Sequence, residues 1–570
     1  MNYEQLINEA YASLGFSARD NQIETINNIL TSILDENYKD IILCAPTGTG
    51  KSIIGAVSAE CINKVKKENL SSLILVHNNA LAKQYYKTFT GNYNFAQLKG
   101  ANQYPCHVLN SVSKNSEEFY TAEECMFMTL QNSADEELAN LVNKCYKCEY
   151  MDIRNKRNSV KHLITNYSYY FVDRMFADVL NKRCVTVWDE AHTINDAFTE
   201  HNAIYISEKR LKKIVSEITE HLKLGKTDVY KTIKRVSDDL RDGYLNEKTY
   251  MAYMLPLLTA YKIIAEQCQN EMSYNINNFN NYTKFSRLYK KYFGLGCKIG
   301  DLLKYGYEHV PQLVDDEEKE FTIKPIFVGD MFDKILRHSD YNIFMSATIS
   351  DEFLIETLNL DRSKTKFIHV PPTFPRENKK VIFYKPLALN FNSMKDEKTL
   401  SSLDKNVLDI INHHKNEKGI ALCPSFNVVE RLSKLLRKNG FIVFEHIRGE
   451  KLEKYLELFK DCSKPSILLS PSIFEGIDLP DDYSRFQIFV KAPFASLGDK
   501  RIKYILDKHP KIYELATIKR LVQGCGRGVR SKTDYSITYM LDSNISRLWR
   551  SKNNIWQNEF LTTQKSFLDE

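Results

Sequence analysis

The sequence has no long apolar run, since none of its segments approaches the roughly 20 residues that span a bilayer. The N-terminus, MNYEQLINEAYASLGF, also has no basic stretch followed by an apolar one. These absences speak against a membrane partner and a secretory signal. We therefore expect a soluble protein inside the cell, in the cytoplasm of a bacterium or virus-infected host, or in the nucleus if the source is eukaryotic.

Cysteine and net charge are also low. Twelve cysteines in 570 residues are too few for a disulfide scaffold, and in a reducing compartment they are thiols or metal ligands. The 78 basic and 72 acidic residues leave a net charge of +6, which permits nucleic acid as a partner without requiring it. The length exceeds that of one hydrophobic core and predicts three or four domains.

Short β-branched runs alternate with helical patterns toward both ends of the chain, an arrangement typical of parallel α/β domains. The first series of predicted strands is 40–46, 72–79, 162–168, 184–190 and 342–348. The second series is 381–385, 419–425, 441–446, 466–471, 486–494 and 536–541. From 193 to 341 helical periodicity predicts a helical insertion, and HVPPTFPRENKK predicts a linker.

The segment APTGTGKS (45–52) predicts a phosphate-binding loop between a strand and a helix, although Ala45 stands where the pattern usually has its first glycine. Glycines let the backbone amides face phosphate oxygens, Lys51 reaches the β and γ phosphates, and Ser52 ligates Mg²⁺. The predicted nucleotide-binding residues of the loop are Thr47, Gly48, Thr49, Gly50, Lys51 and Ser52. The sequence thus predicts ATP and Mg²⁺ as cofactors.

Two further motifs complete the predicted hydrolytic site. WDEAH ends a predicted strand, where Asp189 would hold Mg²⁺ and Glu190 would polarise the attacking water. QGCGRGVR places Arg527 and Arg530 three residues apart on a predicted helix beside Gln523, so that both guanidinium groups could reach the γ phosphate from a second domain. A solvated helix start and a basic surface helix are the simpler alternatives.

The phosphate loop, DEAH, SAT (346–348) and Q-x-x-G-R-x-x-R, in this order, resemble the motifs of a superfamily-two helicase. LKGANQYPC ahead of a cysteine cluster, ITNYSYY ahead of DEAH, IFEGIDLPDD and VKAPF are similar to the XPD/DinG branch of iron-sulfur DNA helicases. The resemblance covers residues 15–545, with 193–340 matched by position alone. It implies an α/β fold of two RecA-like parallel-sheet motor domains.

The resemblance also implies two insertions in the first motor domain, one for an Fe-S cluster and one that is helical and arch-like. The implied division is motor domain 1 at 1–103, 151–205 and 336–370, the Fe-S insertion at 104–150, the arch-like insertion at 206–335 and motor domain 2 at 371–570. Some relatives carry a fused nuclease, but a motor that begins near residue 15 leaves no room for one ahead of it.

Several single residues gain expected roles from the same resemblance. FSARDNQIETI resembles a base-contacting element, so Arg19 and Gln22 are candidates to contact adenine, and Thr348 would link nucleotide state to domain movement. Asn78 and Asn79 stand where relatives often carry threonine in a motif that grips the DNA strand. This difference weakens the assignment of a DNA-contacting role to either residue. The roles in the second motor fall on Glu475, Gly476 and Asp478 at the interface between the motors, and on Ser425 at the DNA backbone.

Four cysteines form the pattern C-x18-C-x19-C-x2-C: Cys106, Cys125, Cys145 and Cys148. Four thiolates suit an iron-sulfur cluster or a structural zinc, and the spacing does not separate them. Unligated thiols are a third alternative. In the resembling family this location holds a [4Fe-4S] cluster, which favours the first. Metal-thiolate bonds would compensate for the small core of such an insertion, which could act as a wedge that splits duplex DNA.

The cysteine module is followed by a basic and aromatic stretch suited to phosphates and unpaired bases. Its members are Lys144, Tyr146, Lys147, Tyr150, Arg154, Lys156, Arg157 and Lys161. A solvated basic helix is the alternative. A second such stretch, YTKFSRLYKKYF (282–293), has aromatics three and four residues apart, which favours core packing over DNA contact.

Together these patterns predict an ATP-dependent DNA helicase that moves along single-stranded DNA and opens forked DNA. The resemblance alone implies 5′ to 3′ polarity, and we expect a monomer with unknown protein partners. One alternative is a translocase that remodels protein-DNA complexes, R-loops or quadruplexes. Another is a nucleic-acid-binding protein that keeps the motor shape without turnover, although the intact Lys51, Asp189, Glu190 and Arg527 argue against it.

Overall fold

A computed structural model of the chain describes most of its residues. They are 2–19, 21–46, 48–66, 71–89, 94–112, 119–124, 145, 148–275, 278–315, 319–327, 329–336, 338–372, 374–472, 479–526, 528–529, 531–553, 556 and 559–563.

The strands are numbered along the chain. They are β1 (Asp40–Cys44), β2 (Ser72–Val76), β3 (Phe95–Gln97), β4 (His162–Asn166), β5 (Arg183–Asp189), β6 (Ile204–Ser207), β7 (His309–Asp315), β8 (Glu320–Pro325), β9 (Ser339–Ser346), β10 (Thr365–His369), β11 (Lys379–Leu387), β12 (Gly419–Leu422), β13 (Val443–Glu445), β14 (Ile467–Ser470), β15 (Phe486–Phe489), β16 (Ser536–Asp542) and β17 (Leu561–Thr563).

The helices of the first half are α1 (Glu4–Leu14), α2 (Gln22–Leu34), α3 (Lys51–Lys66), α4 (Asn79–Thr88), α5 (His107–Val112), α6 (Glu149–Lys156), α7 (Tyr167–Val172), α8 (Ile194–Asn202), α9 (Glu208–Glu220), α10 (Asp228–Arg241), α11 (Met251–Tyr274) and α12 (Phe279–Tyr305). Those of the second half are α13 (Gly329–Leu336), α14 (Asp351–Leu358), α15 (Glu397–His413), α16 (Phe426–Lys438), α17 (Leu452–Asp461), α18 (Lys500–Lys508), α19 (Pro510–Cys525) and α20 (Ser543–Trp549). Of the helices in the described ranges, none combines the length and apolar character needed to cross a bilayer.

The first motor domain is built on a seven-stranded parallel sheet in the order β10-β1-β9-β5-β2-β4-β3. β1, β2 and β5 are buried along their whole length, as expected for a parallel sheet covered on both faces, and this explains their unbroken apolar runs. Because β9 lies between β1 and β5, the carboxyl ends of these three strands meet at one edge.

The second motor domain has its own seven-stranded parallel sheet, in the order β13-β14-β12-β15-β16-β11-β17. Its inner strands β12 and β15 are also fully buried. Two such sheets with helices between their strands confirm the predicted α/β fold of two RecA-like motor domains.

The region predicted as a helical insertion contains the long helices α11 and α12, but it also holds a three-stranded antiparallel sheet in the order β6-β8-β7. The prediction missed β7 because this strand is half-buried to exposed, contains Pro311 and ends at Asp315, so it lacks the apolar alternation that indicates a strand. In α12, Tyr282, Phe285 and Tyr292 are buried, in agreement with the predicted core packing.

Short strands elsewhere were also missed. β3 and β17 have three residues each, and β10 is half-buried, so their periodicity is too brief or too weak to predict a strand. β10 ends at His369 and β11 begins at Lys379, which leaves 370–378 as the linker between the sheets. The proline-bearing stretch was therefore placed correctly but was predicted too long.

The second motor is attached to the antiparallel sheet by α18. The buried guanidinium group of Arg501 donates hydrogen bonds to the carbonyl oxygens of Pro325 (2.8 Å) and Ile326 (3.0 Å), and Lys500 forms an ion pair with Glu247. Multiple bonds to carbonyl oxygens satisfy a guanidinium group that burial would otherwise make costly.

A buried polar cluster ties α3 to β4 in the first motor. The Glu60 carboxylate accepts from His162 Nε2 (3.1 Å) and Lys161 Nζ (2.7 Å), and the Ser72 hydroxyl lies 2.6 Å from His162 Nδ1. Burial opposes ionisation of Glu60, but the hydrogen bonds from His162 and Lys161 outweigh it and lower the pKa of Glu60 to about 2. Glu60 is therefore ionised in the folded protein at neutral pH.

We expect Glu60→Gln to lower the stability of the chain by about 1–3 kcal/mol at neutral pH, because the charge-assisted hydrogen bond from Lys161 is lost. Thermal unfolding of both proteins at a series of pH values checks this. The folded pKa lies below the ordinary value of 4.5, so the contribution is present above about pH 4.5 and fades as the pH falls toward 2. The difference in Tm should shrink in acid.

Glu36→Gln is the control for Glu60→Gln, since Glu36 is exposed and its ion pair with Lys366 is 3.4 Å long. Its Tm should stay close to that of the unsubstituted protein. A pH-independent effect of Glu60→Gln would contradict the assignment of a charged Glu60.

Candidate functional site

The candidate nucleotide site lies where β1, β9 and β5 end. The phosphate loop follows β1, Glu190 follows β5, and Ala347 and Thr348 follow β9. The strand order β1-β9-β5 thus brings together three motifs that are far apart in sequence. This edge of an open parallel sheet is where such folds bind nucleotides.

Two glycines of the phosphate loop take backbone conformations that other residues rarely adopt. Gly48 has φ +90° and Gly50 has φ +78°. A Cβ atom at Gly50 would also stand 2.4 Å from the Gln22 side-chain nitrogen. The loop therefore requires glycine at these positions for its turn and, at Gly50, for the approach of Gln22.

Lys51 begins α3, and its ammonium group donates a hydrogen bond to the carbonyl oxygen of Ala45 (3.3 Å). The ammonium group therefore lies at the phosphate loop, where phosphate oxygens would compete with the Ala45 carbonyl oxygen for its hydrogen bonds. Ala45 is fully buried, so the residue that replaces the usual first glycine fits without opening the loop. Thr47 lies outside the described residues.

Gln22 braces the phosphate loop from the start of α2. Its side-chain nitrogen donates to the Thr49 carbonyl oxygen (2.8 Å), and its side-chain oxygen accepts from the Tyr11 hydroxyl (2.8 Å) and the Arg19 backbone N–H (3.0 Å). The Gln22 amide is therefore engaged by the protein itself. Contact of Gln22 or Arg19 with adenine stays a prediction.

Two adjacent carboxylates stand at the end of β5 with opposite electrostatic surroundings. Burial and the charge of Glu190 raise the pKa of Asp189 to about 6. Burial also opposes ionisation of Glu190, but the hydrogen bond from His192 and the charge of Lys51 lower its pKa to about 2. Glu190 is thus the more readily ionised of the two carboxyl groups, and a nearby cation would lower the pKa of Asp189.

Asp189 fits the expected role of a Mg²⁺ ligand. Its Oδ1 atom is buried and has no hydrogen-bond partner among the described residues, and a carboxylate oxygen of this kind is a preferred Mg²⁺ ligand. Thr348 Oγ1 and Gln523 Oε1 are likewise buried without a partner in the described part of the chain. These unsatisfied oxygens in one cleft indicate that it is built around a polar ligand.

A chain of hydrogen bonds crosses the cleft from Glu190 to the second motor. The Ser346 hydroxyl donates to Glu190 Oε2 (3.2 Å) and lies 2.7 Å from His192 Nδ1. On its other side, His192 Nε2 is 2.9 Å from the side-chain nitrogen of Gln523. Lys519 also donates to the His192 carbonyl oxygen (3.4 Å). The base-like carboxylate is therefore connected to α19 of the second motor.

The structure places Gln523 beside His192, and sequence reasoning did not single out His192, Ser346 or Lys519. His192 and Ser346 belong to the motifs DEAH and SAT, so a signal for them was present. Lys519 lies one helical turn before Gln523 on α19, and the i, i+4 spacing was the available signal for it.

Tyr85 is another residue that the sequence did not indicate. It is buried on α4, and burial together with the charge of Asp189 raises its pKa. Its hydroxyl lies beside the side chains of Ser52 and Asp189 without the geometry of a hydrogen bond. Nothing in its sequence neighbourhood, HNNALAKQYY, marks this position.

The helix that was predicted to carry Arg527 and Arg530 ends before it reaches them. α19 ends at Cys525, and Gly528 and Val529 are not helical, so the predicted helix is too long. The glycines at 524, 526 and 528 explain the early end, because glycine disfavours helix interiors. The residues with predicted roles in the second motor that lie outside the described ranges are Glu475, Gly476, Asp478, Arg527 and Arg530.

The residues expected to contact DNA in the motors have local structural roles. Asn78 caps α4 by accepting from the Leu81 N–H, and Ser425 caps α16 by accepting from the Val428 N–H. Asn79 accepts a hydrogen bond from the Asn166 side chain (2.6 Å). Caps at helix N-termini leave backbone N–H groups available to phosphates nearby, so DNA contact here stays a prediction.

Three of the four candidate metal ligands share one small core. Cys145 is buried, and Cys106 and Cys148 are half-buried in a cluster that includes Val108, Tyr120, Met151 and Tyr282. The Cys148 N–H donates to the Cys145 carbonyl oxygen (3.0 Å). Cys125 lies outside the described residues. Within the described ranges, no three His, Cys, Asp or Glu side chains are close enough together to hold a metal ion.

The basic stretch after the cysteines is partly engaged by the protein. Lys161 is paired with Glu60 and Lys156 with Asp152, and the Tyr150 ring packs on Tyr104 with centroids 5.5 Å apart. These contacts reduce the number of groups free to bind DNA. Lys144, Tyr146 and Lys147 lie outside the described residues.

Comparison with known proteins gives two family models and several relatives. A model described as "Helicase C-terminal domain" matches residues 407–561, and one described as "Type III restriction enzyme, res subunit" matches residues 15–227. The ATP-dependent DNA helicase YoaA of Haemophilus influenzae is 21% identical over 93% of this chain and 92% of its own length. YoaA of Escherichia coli is 20% identical over 94% and 93%.

Among solved structures, one titled "XPD_Helicase" superposes on 96% of this chain and 100% of its own, with a TM-score of 0.59 and 16% identity. A second, the Xpd4 protein of S. tokodaii, covers 96% of this chain and 100% of its own with a TM-score of 0.56 and 14% identity. At such identities the structural likeness establishes the fold.

We expect His192→Ala to lower kcat for ATP hydrolysis about ten- to hundredfold with little change in nucleotide affinity, because Glu190 loses its link to the second motor while the phosphate loop is untouched. Steady-state ATPase assays with saturating single-stranded DNA, and titration with a fluorescent ATP analogue, separate the two quantities. His413→Ala, at an exposed position on α15, is the control. An unchanged kcat would contradict a role for this hydrogen-bond chain.

Proposed function

Because the chain belongs to the XPD/DinG-like superfamily-two helicases, we propose that it hydrolyses ATP to move along single-stranded DNA and to open duplex DNA, in the 5′ to 3′ direction. The observation that carries the proposal is the contact between His192 and Gln523. It connects the hydrolytic carboxylate of one motor to a helix of the other, so that a change at the γ phosphate can alter how the two motors sit.

In this proposal the residues of the cleft divide the hydrolysis between them. The phosphate loop and Lys51 bind the phosphates, and Glu190, with its low pKa, accepts a hydrogen bond from the attacking water and orients it. Ser52 and Asp189 would hold Mg²⁺, which when bound supplies charge neutralisation at the phosphates. Arg527 and Arg530 would add positive charge from the second motor.

DNA as the substrate is supported by the relatives, which are named as DNA helicases over more than nine-tenths of this chain. The mildly basic charge of +6 is compatible with it. Bases would stack on aromatic side chains and phosphates would follow basic ones. Monomeric action and the 5′ to 3′ direction rest on the family resemblance.

The cysteine module is proposed to hold a [4Fe-4S] cluster. The proposal rests on the family resemblance and on four cysteines in one insertion, with Cys125 as the fourth thiolate. Cys106, Cys145 and Cys148 pack against one core, but among the described residues they are not close enough together to share a metal ion. Such a centre would stiffen an insertion whose own core is small. Tyr282 of α12 packs in the same core, so the module also buttresses the long helices.

Lys51→Ala should abolish DNA-stimulated ATP hydrolysis, because the phosphates lose their main cationic contact. An ATPase assay with and without single-stranded DNA measures this. A partial duplex with a 5′ or a 3′ single-stranded tail tests unwinding and its direction. Lys64→Ala, on the same helix but far from the loop, is the control. Absence of ATP hydrolysis by the unsubstituted protein would favour the alternative of a non-catalytic nucleic-acid-binding protein.

Hydrolysis and movement along DNA without strand separation would favour the alternative of a translocase that remodels protein-DNA complexes, R-loops or quadruplexes. Displacement of a streptavidin block from single-stranded DNA detects such movement directly.

Cys145→Ser should remove unwinding and spare much ATP binding, because the cysteine module is separate from the nucleotide cleft. Protein purified without oxygen should be brown and contain about four irons per chain, and the variant should lose both. Cys462→Ser, in the second motor, is the control. Zinc in place of iron would refute the cluster, and unwinding that survives loss of the metal would refute the wedge role.

A further inference from the structure

A C-terminal segment of the second motor reaches into the first. We call Trp556 and residues 559–563 the C-terminal bridge. β17 of this bridge pairs with β11 at the edge of the second sheet, and the Trp549 ring nitrogen donates to the Thr562 hydroxyl (3.1 Å). These contacts make the bridge part of the second motor.

The other end of the bridge contacts the root of the phosphate loop. The ring nitrogen of Trp556 donates a hydrogen bond to Cys44 Sγ (3.1 Å), and Cys44 is the last residue of β1, directly ahead of Ala45. The Cys44 thiol in turn donates to the carbonyl oxygen of Ala347 (3.6 Å), which belongs to SAT. Through Cys44, the indole N–H of Trp556 in the second motor is therefore connected to the phosphate loop and to the SAT motif of the first motor.

The same bridge contacts both ends of the linker between the motors. Glu559 pairs with His369, the last residue of β10 (3.4 Å), and the Phe560 ring lies 5.2 Å from the ammonium group of Lys379, the first residue of β11. The neighbouring Cys44 and Glu559 side chains raise the pKa of His369 to about 10. His369 is therefore cationic at neutral pH, and the pair with Glu559 is a true ion pair.

The residues that form these contacts are buried. Trp556 is 1% exposed, Phe560 is 4% exposed and Cys44 is fully buried. A thiol is a weak acceptor, so the hydrogen bond contributes direction while the packed indole ring contributes most of the attachment. If the second motor moves relative to the first, either Cys44 moves together with Trp556 or the contact between Trp556 and Cys44 breaks.

We propose that Trp556 is a positioning residue for the nucleotide cleft, which ties the phosphate loop and the SAT segment of the first motor to the C-terminal bridge of the second. Its environment changes when nucleotide closes the motors. This inference rests on the proposed ATP-driven function and adds a second route between the motors, on the opposite side of β1 from the route through β5 and His192.

The test compares two conservative substitutions of buried tryptophans. Trp556→Phe removes the N–H that crosses to Cys44, whereas Trp549→Phe removes an N–H that stays within the second motor. We expect Trp556→Phe to weaken binding of the β,γ-imido analogue of ATP about three- to tenfold and to raise KM for ATP more than it lowers kcat. Trp549→Phe should leave both the analogue affinity and KM near those of the unsubstituted protein. The two substitutions should change Tm by similar amounts.

Tryptophan fluorescence gives an independent readout, because the chain has only three tryptophans. Addition of the β,γ-imido analogue and Mg²⁺ should change the emission of the unsubstituted protein, and Trp556→Phe should lose a part of this change that Trp549→Phe retains. If Trp556→Phe folds poorly, Cys44→Ala removes the same contact from the first motor and should weaken analogue binding in the same way.

Three results would overturn the inference: equal effects of both tryptophan substitutions on nucleotide affinity, a fluorescence response that does not involve Trp556, or unchanged kcat and KM for ATP in Trp556→Phe. Failure of the proposed function has a different signature, since the unsubstituted protein would then neither bind the analogue nor hydrolyse ATP. Unchanged ATP hydrolysis by Trp556→Phe refutes the positioning role and leaves the proposed function intact.

Discussion

The nucleotide cleft depends on one electrostatic constraint, the close approach of two carboxylates at the end of β5. Asp189 is buried and its neighbour Glu190 is partly exposed, and ionising both at this distance is costly without nearby positive charge or hydrogen-bond donors. The protein supplies these to Glu190 through Lys51, His192 and Ser346. Asp189 keeps a raised pKa and an oxygen without a hydrogen-bond partner in the described part of the chain, and both features suit its predicted role as a Mg²⁺ ligand.

This constraint also explains why the second motor contacts the cleft where it does. His192 uses one ring nitrogen on the side of Glu190 and the other on Gln523 of α19. The donor that lowers the pKa of Glu190 is therefore held in place by the other motor. α19 follows α18, whose Arg501 is fixed to the antiparallel sheet of the insertion. A shift at the cleft is thus mechanically connected to the long helices.

Much of the fold was predictable because its strands are buried on both faces. IILC in β1 and LILV in β2 are unbroken apolar runs, and such runs are strong indicators of parallel strands. β7 and β10 were missed because they are partly exposed and their sequences lack this signal. The end of α19 was misplaced because the Q-x-x-G-R-x-x-R spacing suits a helix, whereas three alternate glycines oppose it.

The sequence by itself determined which chemistry is present: a glycine turn with lysine and serine, two carboxylates after a strand, and a cluster of cysteines. Each of these is a local pattern whose residue types already state a reaction or a ligand. Only the tertiary structure decided which of them meet. The order β1-β9-β5 joins residues more than a hundred positions apart, and the C-terminal bridge brings Trp556 to Cys44. Strand order and docking depend on packing of the whole chain, which no short stretch of sequence records.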